Sequence, residues 1–252
     1  MVPLATYEIL GVNLHLVLPE ANLEGYRTWI EARLAAGQGA QVVTCNPEMI
    51  MLAHQNPTFA QVLQMAELVI PDGTGVVWAL RRQRIPVRRV PGIELAESLI
   101  QTSAQRGWRL ALVGGKPDVN QAALQRWQAQ CPQLSLWGYH GYFSPQQEVE
   151  LLQALQEFQP QVVLVGLGSP RQELWIQARR GLSPGAIWIG VGGSFDIWAG
   201  KKERAPRWWR DHHLEWLYRL YQEPWRWRRM LALPRFVWRV LRDPSSRKGL
   251  GS

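Results

Sequence analysis

Five short apolar runs constrain this chain more than any other feature. They are QVVTCN (41–46), ELVIPD (67–72), RLALVGG (109–115), QVVLVGLG (161–168) and AIWIGVGG (186–193). Each is rich in β-branched residues and lacks a clean apolar–polar alternation. That pattern suits strands buried on both faces. Helical stretches precede or lie between them, at 22–36, 93–106, 118–130 and 146–158. Ser144 reads as the N-cap of the last of these, with Pro145 at its first position. Alternating strands and helices predict an α/β fold around an open, mostly parallel sheet.

The region from about residue 205 reads differently. Leu214, Leu217, Tyr218 and Tyr221 fall at helical spacing, and Pro224 breaks the pattern. Met230, Leu233, Val237 and Leu241 then form a second helical face, with a kink or restart at Pro234. The net charge is +8, and it is unevenly placed. Residues 201–252 hold 14 Lys/Arg against 5 Asp/Glu, and six of the 14 tryptophans. Residues 1–200 hold 14 against 15. The reading is a body over 1–204 and a basic, Trp-rich helical appendage over 205–252. Deleting the appendage is expected to leave a stable body. Arginine binds phosphate, and tryptophan favours the membrane interface. Anionic membrane is therefore the partner expected of the appendage.

No stretch has about 18 uninterrupted apolar residues, the length needed to span a bilayer. The first 20 residues lack a basic leader and are interrupted by Glu8 and Asn13, unlike a signal peptide. Cys45 and Cys131 match no zinc or redox spacing, and the five histidines have no metal-ligand spacing. A cytoplasmic protein, peripheral on the inner face of the membrane, without a metal site, is expected. The body has no basic face by charge count and no nucleic-acid motif, so nucleic acid is not expected as a partner. The sequence is compatible with a homo-oligomer.

Ligands of open α/β sheets bind at the carboxyl ends of strands. Here those ends carry Thr44 and Asn46, then Asp72 and Gly73, then Gly114 and Gly115, then Gln172, then Gly192, Gly193 and Asp196. Asp72 is able to act as a general base or to cap the helix that starts near Thr74. The glycine pairs suit a phosphate cradle or an ordinary strand-to-helix turn, and neither has Rossmann or P-loop spacing. Gln172 suits a sugar contact or a helix first turn. Arg219, Arg226 and Arg229 suit a diphosphate, a lipid headgroup or a solvated face.

Eight motifs together resemble the bacterial WecG/TagA/CpsF glycosyltransferases, family 26 of the glycosyltransferases. They are TCNPEMI (44–50), LVIPDGTGVVWA (68–79), RVPGIEL (89–95), VGGKP (113–117), GYHGYFSP (138–145), VGLGSPRQELWI (165–176), GVGGSFDIWAGKKERAP (190–206) and LEWLYRLYQEPWR (214–226). The resemblance implies a Rossmann-like domain with a C-terminal helical appendage. It implies an inverting, metal-independent hexosyltransferase without cofactor. The donor would be a UDP-sugar, such as UDP-N-acetylmannosamine or its uronic acid. The acceptor would be a polyprenyl-diphosphate-linked saccharide in teichoic acid or other surface-polysaccharide synthesis. It assigns Asp72 as the catalytic base, with Thr44, Asn46 and Gln172 in the active site. Asp196 falls near the nucleotide, and Arg219, Arg226 and Arg229 fall over the donor diphosphate. Pro91 departs from the family's usual threonine. The rival functions are a nucleotide-binding regulatory protein without chemistry and a nucleic-acid binder using the basic tail.

Overall fold

The computed structural model describes residues 2–212 and 214–243, without the side chains of Arg219 and Arg226. The chain opens with a hairpin of β1 (Leu4–Ile9) and β2 (Val12–Val17), followed by α1 (Leu23–Ala35). Next come β3 (Ala40–Cys45), α2 (Pro47–Ala53), α3 (Pro57–Met65), β4 (Leu68–Pro71), α4 (Thr74–Arg82) and α5 (Gly92–Arg106). The second half of the body holds β5 (Arg109–Gly114), α6 (Pro117–Gln130), β6 (Ser135–Tyr139), α7 (Pro145–Phe158), β7 (Val162–Gly166), α8 (Arg171–Arg179), β8 (Ile187–Gly190) and α9 (Ser194–Trp198). The last helices are α10 (Arg207–Asp211), α11 (Glu215–Gln222), α12 (Trp227–Met230) and α13 (Ala232–Arg242).

Six strands form one sheet in the order β4-β3-β8-β7-β5-β6, and every neighbouring pair is parallel. The expected α/β architecture is therefore present. Side chains of the central strands alternate between two of the three cores, and the third, with Val43, Cys45 and Val69, covers one face of β3 and β4. Leu110, Leu112, Val162, Leu164, Ile187 and Ile189 face one layer with α1, α5 and α6. Ala111, Val113, Val163, Val165 and Trp188 face the other, with α7 and α8. Both faces are dry, which is why the runs show no polar alternation.

Local chemistry starts the helices. Asn46 and Asn56 cap α2 and α3 by accepting the N–H of Met49 and of Phe59, each with proline at the first helical position. Ser144 caps α7 in a capping box with Gln147.

The hairpin escaped the sequence reading. Its two-residue turn, Leu10-Gly11, has positive φ at both positions, the geometry a tight hairpin needs. Leu14 and Leu16 are buried, and His15 lies between them on the opposite side of β2. His15 Nδ1 accepts the N–H of Val69 at 2.9 Å. The hairpin thus covers the β4 edge of the sheet, where an unpaired N–H would otherwise face outward. Strand β6 at the opposite edge also escaped, because SLWGY is only partly buried.

The appendage is not a free body. Phe236 and Val240 of α13 are fully buried beside Met49, Ile50, Val76 and Leu80. Val237 and Leu241, expected on the packing face, are 38% and 42% exposed. The helix carries two apolar stripes, and the sequence reading chose the outward one. In α11 the same correction applies. Tyr221 is 81% exposed, while Glu215 is the buried residue at 4%. Phe236 and Val240 thus carry packing across the division drawn at 205, against α2 and α4.

Two predictions follow from this packing. Phe236→Ala should lower unfolding free energy by about 3–5 kcal/mol, the usual loss for a buried phenylalanine, measured by urea denaturation. For His15, burial holds the imidazole pKa below its ordinary 6.5. A base with a lowered folded pKa stabilises the fold above its unfolded pKa and loses that contribution as pH falls. Melting temperature should therefore drop below about pH 6.5. His15→Gln, whose amide oxygen still accepts from Val69, should flatten that acid limb.

Candidate active site

The carboxyl ends of β4, β3, β8 and β7 stand side by side, and the turns after them line a cleft of about 240 Å³. Thr44 and Asn46 come from β3, Asp72 from β4, Gly168, Ser169 and Gln172 from β7, and Gly190 to Ser194 from β8. The C-terminal region closes it with Lys202, Arg204, Glu215, Glu223 and Arg229.

Asp72 does not cap α4. Gly73 is the N-cap residue and α4 has no side-chain cap. The Asp72 backbone N–H donates to Cys45 O at 2.8 Å, tying the ends of β3 and β4 together. Its carboxylate accepts the N–H of Gly73 on Oδ1 at 2.6 Å and, more loosely, that of Gly92 on Oδ2 at 3.4 Å. Gly73 has φ of +85°, a conformation strained for any other residue, and a Cβ there would crowd Pro47 at 3.3 Å. Position 73 therefore needs glycine to fold its N–H back on Asp72.

Arg89 completes the carboxylate's surroundings. Its Nε lies 3.4 Å from Asp72 Oδ1, and its Nη2 donates to Glu215 Oε2 at 2.7 Å. Burial works against the guanidinium charge, but Asp72 and Glu215 outweigh it and raise the Arg89 pKa further. Neither Arg89 nor Glu215 was singled out from the sequence. Both lie inside quoted motifs, RVPGIEL and LEWLYRLYQEPWR, where two opposite charges flank apolar residues. Only the fold brings them together.

The other expected residues divide. Asn46 Oδ1 is committed to the α2 cap at 3.1 Å, which leaves its amide Nδ2 as the donor for a ligand. Thr44 packs on Gly92 so closely that a Cβ at 92 would lie 2.7 Å from its Oγ1. Gln172 is 5% exposed and locked at both ends of its amide. Oε1 accepts Gly192 N–H at 3.0 Å, and Nε2 donates to Glu173 Oε1 at 2.7 Å. Burial pushes the Glu173 carboxyl pKa up. Gly192 and Gly193 line the cleft, yet the Gly192 N–H is already used by Gln172. Pro91 lines the cleft and begins α5.

Gly114 and Gly115 do not line the cleft. The Gly115 N–H donates to Gly166 O at 3.1 Å, and a Cβ on Gly114 would lie 2.4 Å from that same oxygen. This pair permits close packing of β5 on β7. Asp196 also lies outside the lining, and its Oδ2 sits 3.4 Å from Lys202 Nζ. It positions a cleft lysine from behind. Arg229 lines the cleft and pairs through Nε with Glu48 Oε2 at 3.0 Å. The side chains of Arg219 and Arg226 lie outside the described residues. Among the described residues, no group of three His, Cys, Asp or Glu side chains could hold a metal ion. No helix among them is long and apolar enough to cross a membrane.

Residues 7–249 match the glycosyl transferase WecG/TagA/CpsF family. The chain belongs to that family. It is 38% identical over 211 residues to an N-acetylglucosaminyldiphosphoundecaprenol N-acetyl-beta-D-mannosaminyltransferase of Bacillus spizizenii (strain ATCC 23059 / NRRL B-14472 / W23), covering 83% of this chain and 81% of that one. A protein of the same name from Bacillus subtilis (strain 168) is 34% identical over 212 residues, covering 83% and 82%. The family resemblance read from the motifs therefore stands, and the chain is a glycosyltransferase.

Replacing Glu215 by alanine should show how far the site depends on the appendage. It leaves Arg89 buried beside a single, longer-range partner, and breaking a buried pair costs about 3–5 kcal/mol. A matching fall in unfolding free energy is expected from denaturant titration.

Proposed function

We propose that this enzyme transfers an N-acetylmannosamine-type sugar from a UDP donor to a polyprenyl-diphosphate-linked saccharide, with inversion at the anomeric carbon. The acceptor class is the one in the relatives' name, N-acetylglucosaminyldiphosphoundecaprenol. The observation that carries the reading is Asp72 itself. It is a partly exposed carboxylate at a strand end, held by two backbone N–H groups and Arg89, and facing a cleft.

The chemistry is a single displacement. An acceptor hydroxyl attacks the anomeric carbon of the donor and gives its proton to Asp72. The bond from that carbon to the diphosphate oxygen breaks, and UDP leaves from the opposite side with the electron pair. Negative charge grows on the leaving diphosphate, so cations already in place stabilise the transition state. Arg89, Lys202, Arg204 and Arg229 line the cleft for this role. By resemblance Arg219 and Arg226 join them, and no metal is then required. Gln172, held between Gly192 and Glu173, is suited to fixing the Gly192 turn where it faces the donor.

The appendage is proposed to rest on anionic membrane, where the lipid-linked acceptor resides. The exposed Trp208, Trp225, Trp227 and Trp238 support this, together with the excess of basic residues beyond 200. Each basic residue near such a surface contributes about 1 kcal/mol.

Asp72→Asn should reduce turnover by about 10²–10⁴-fold, the range for a lost general base, while UDP affinity stays unchanged. UDP release measures the first and calorimetry the second. Near-normal turnover would refute the role of Asp72.

A further inference from the structure

A second cavity, of about 310 Å³, adjoins the cleft. The two share Asn46, Glu48, Asp72, Arg89 and Glu215, so Asp72 stands on a wall common to both. Their remaining linings differ in kind. Beyond the shared residues the cleft is lined by glycine turns and by five charged side chains, Lys202, Glu203, Arg204, Glu223 and Arg229, with a few apolar ones among them. Beyond the shared residues, the second cavity carries one polar side chain, Thr74. The rest is Pro47, two glycines, and Trp216, Met230, Leu233, Phe236 and Val237 from α11, α12 and α13.

We infer that this apolar groove receives the acceptor, and that its outer part holds the first isoprene units of a polyprenyl diphosphate sugar. The inference rests on the reading of Asp72 as base. In a displacement with inversion, donor and acceptor reach the anomeric carbon from opposite sides, so the base belongs between two compartments. A charged nucleotide gains nothing from walls that cannot solvate it. An isoprenoid chain does gain there, because apolar surface leaves water. The groove is also open on the correct side. Its rim residues Trp216 and Val237 are each 38% exposed, while Phe236 at the floor is 0%. Leu217, Trp238 and Leu241 of the same two helices, α11 and α13, are exposed as well. The occupant is thus a chain that starts at a sugar and ends in a lipid surface. A second copy of the protein would have no reason to reach Asp72.

The test removes the membrane from the experiment. Two acceptor probes are compared in lipid-free buffer: N-acetylglucosaminyl diphosphate carrying a farnesyl chain, and the same sugar diphosphate carrying an ethyl group. Affinities are measured by calorimetry on an Asp72→Asn background, which holds acceptor without turnover, and KM on the native enzyme. The wild type should favour the farnesyl probe. Val237→Asp should weaken that probe about tenfold, as expected for losing contact with about two methylene groups. The ethyl probe and the KM for the UDP-sugar should not move. Trp216→Ala should act in the same direction, which guards against a folding defect in one variant. Equal wild-type affinity for both probes would overturn the inference. So would an equal loss for both in the variants, or a change of oligomeric state in sedimentation with no change in acceptor affinity. Retained turnover by Asp72→Asn is a separate result: it overturns the reading of the base and leaves the two-probe comparison standing.

Discussion

Arg89 sits between two carboxylates that come from distant parts of the chain. Asp72 ends the edge strand of the sheet, and Glu215 begins the helix α11 after the sheet is complete. A half-buried guanidinium cannot shed its charge, so it needs carboxylates around it. The shorter bond is to Glu215 and the longer to Asp72. The arrangement leaves Asp72 in the longer of the two ion pairs. It also makes the geometry around Asp72 depend on where α11 lies. Catalytic body and appendage are one electrostatic unit at this point.

Two other cations of the cleft are paired nearer the surface. Lys202 meets Glu223 at 2.9 Å and Arg229 meets Glu48 at 3.0 Å, with these cations 38% and 52% exposed. Exposed pairs contribute little to stability, typically less than about 1 kcal/mol. A diphosphate offers more negative charge and more acceptor oxygens than one carboxylate. These cations are therefore held in place without a ligand yet are easily recruited by one. Asp196, outside the cleft lining, lies 3.4 Å from Lys202, which is in it.

Much of this was legible in the sequence, for definable reasons. The central strands announced themselves because both faces are buried. The helix starts were visible at Ser144 and Pro145 because capping is local. The strand-end residues Thr44, Asn46, Asp72 and Gln172 could be placed around a cleft once the parallel sheet was inferred. What escaped depends on distance along the chain. Arg89 and Glu215 are 126 residues apart, and neither spacing nor type reveals that they meet. The Gly114-Gly115 pair looks like any phosphate turn until Gly166 is seen to occupy its N–H. The hairpin was hidden in a segment whose mixed apolar and polar residues suit a half-exposed ribbon but give no strong periodic signal. For α13 the periodicity was read correctly as helical and wrongly as to face, because two stripes compete.

Those two stripes have a mechanical consequence. Around α13, Phe236 and Val240 point into the core, Val237 and Leu241 point away, and Arg235, Arg239 and Arg242 run along the remaining side at helical spacing. Turning the helix one way would bury arginines, and turning it the other way would pull Phe236 into water. Either rotation is opposed, so the helix behaves as a keyed shaft: free in neither direction about its axis. Phe236 and Val237 both line the apolar groove, so the orientation of α13 about its axis sets the shape of that wall.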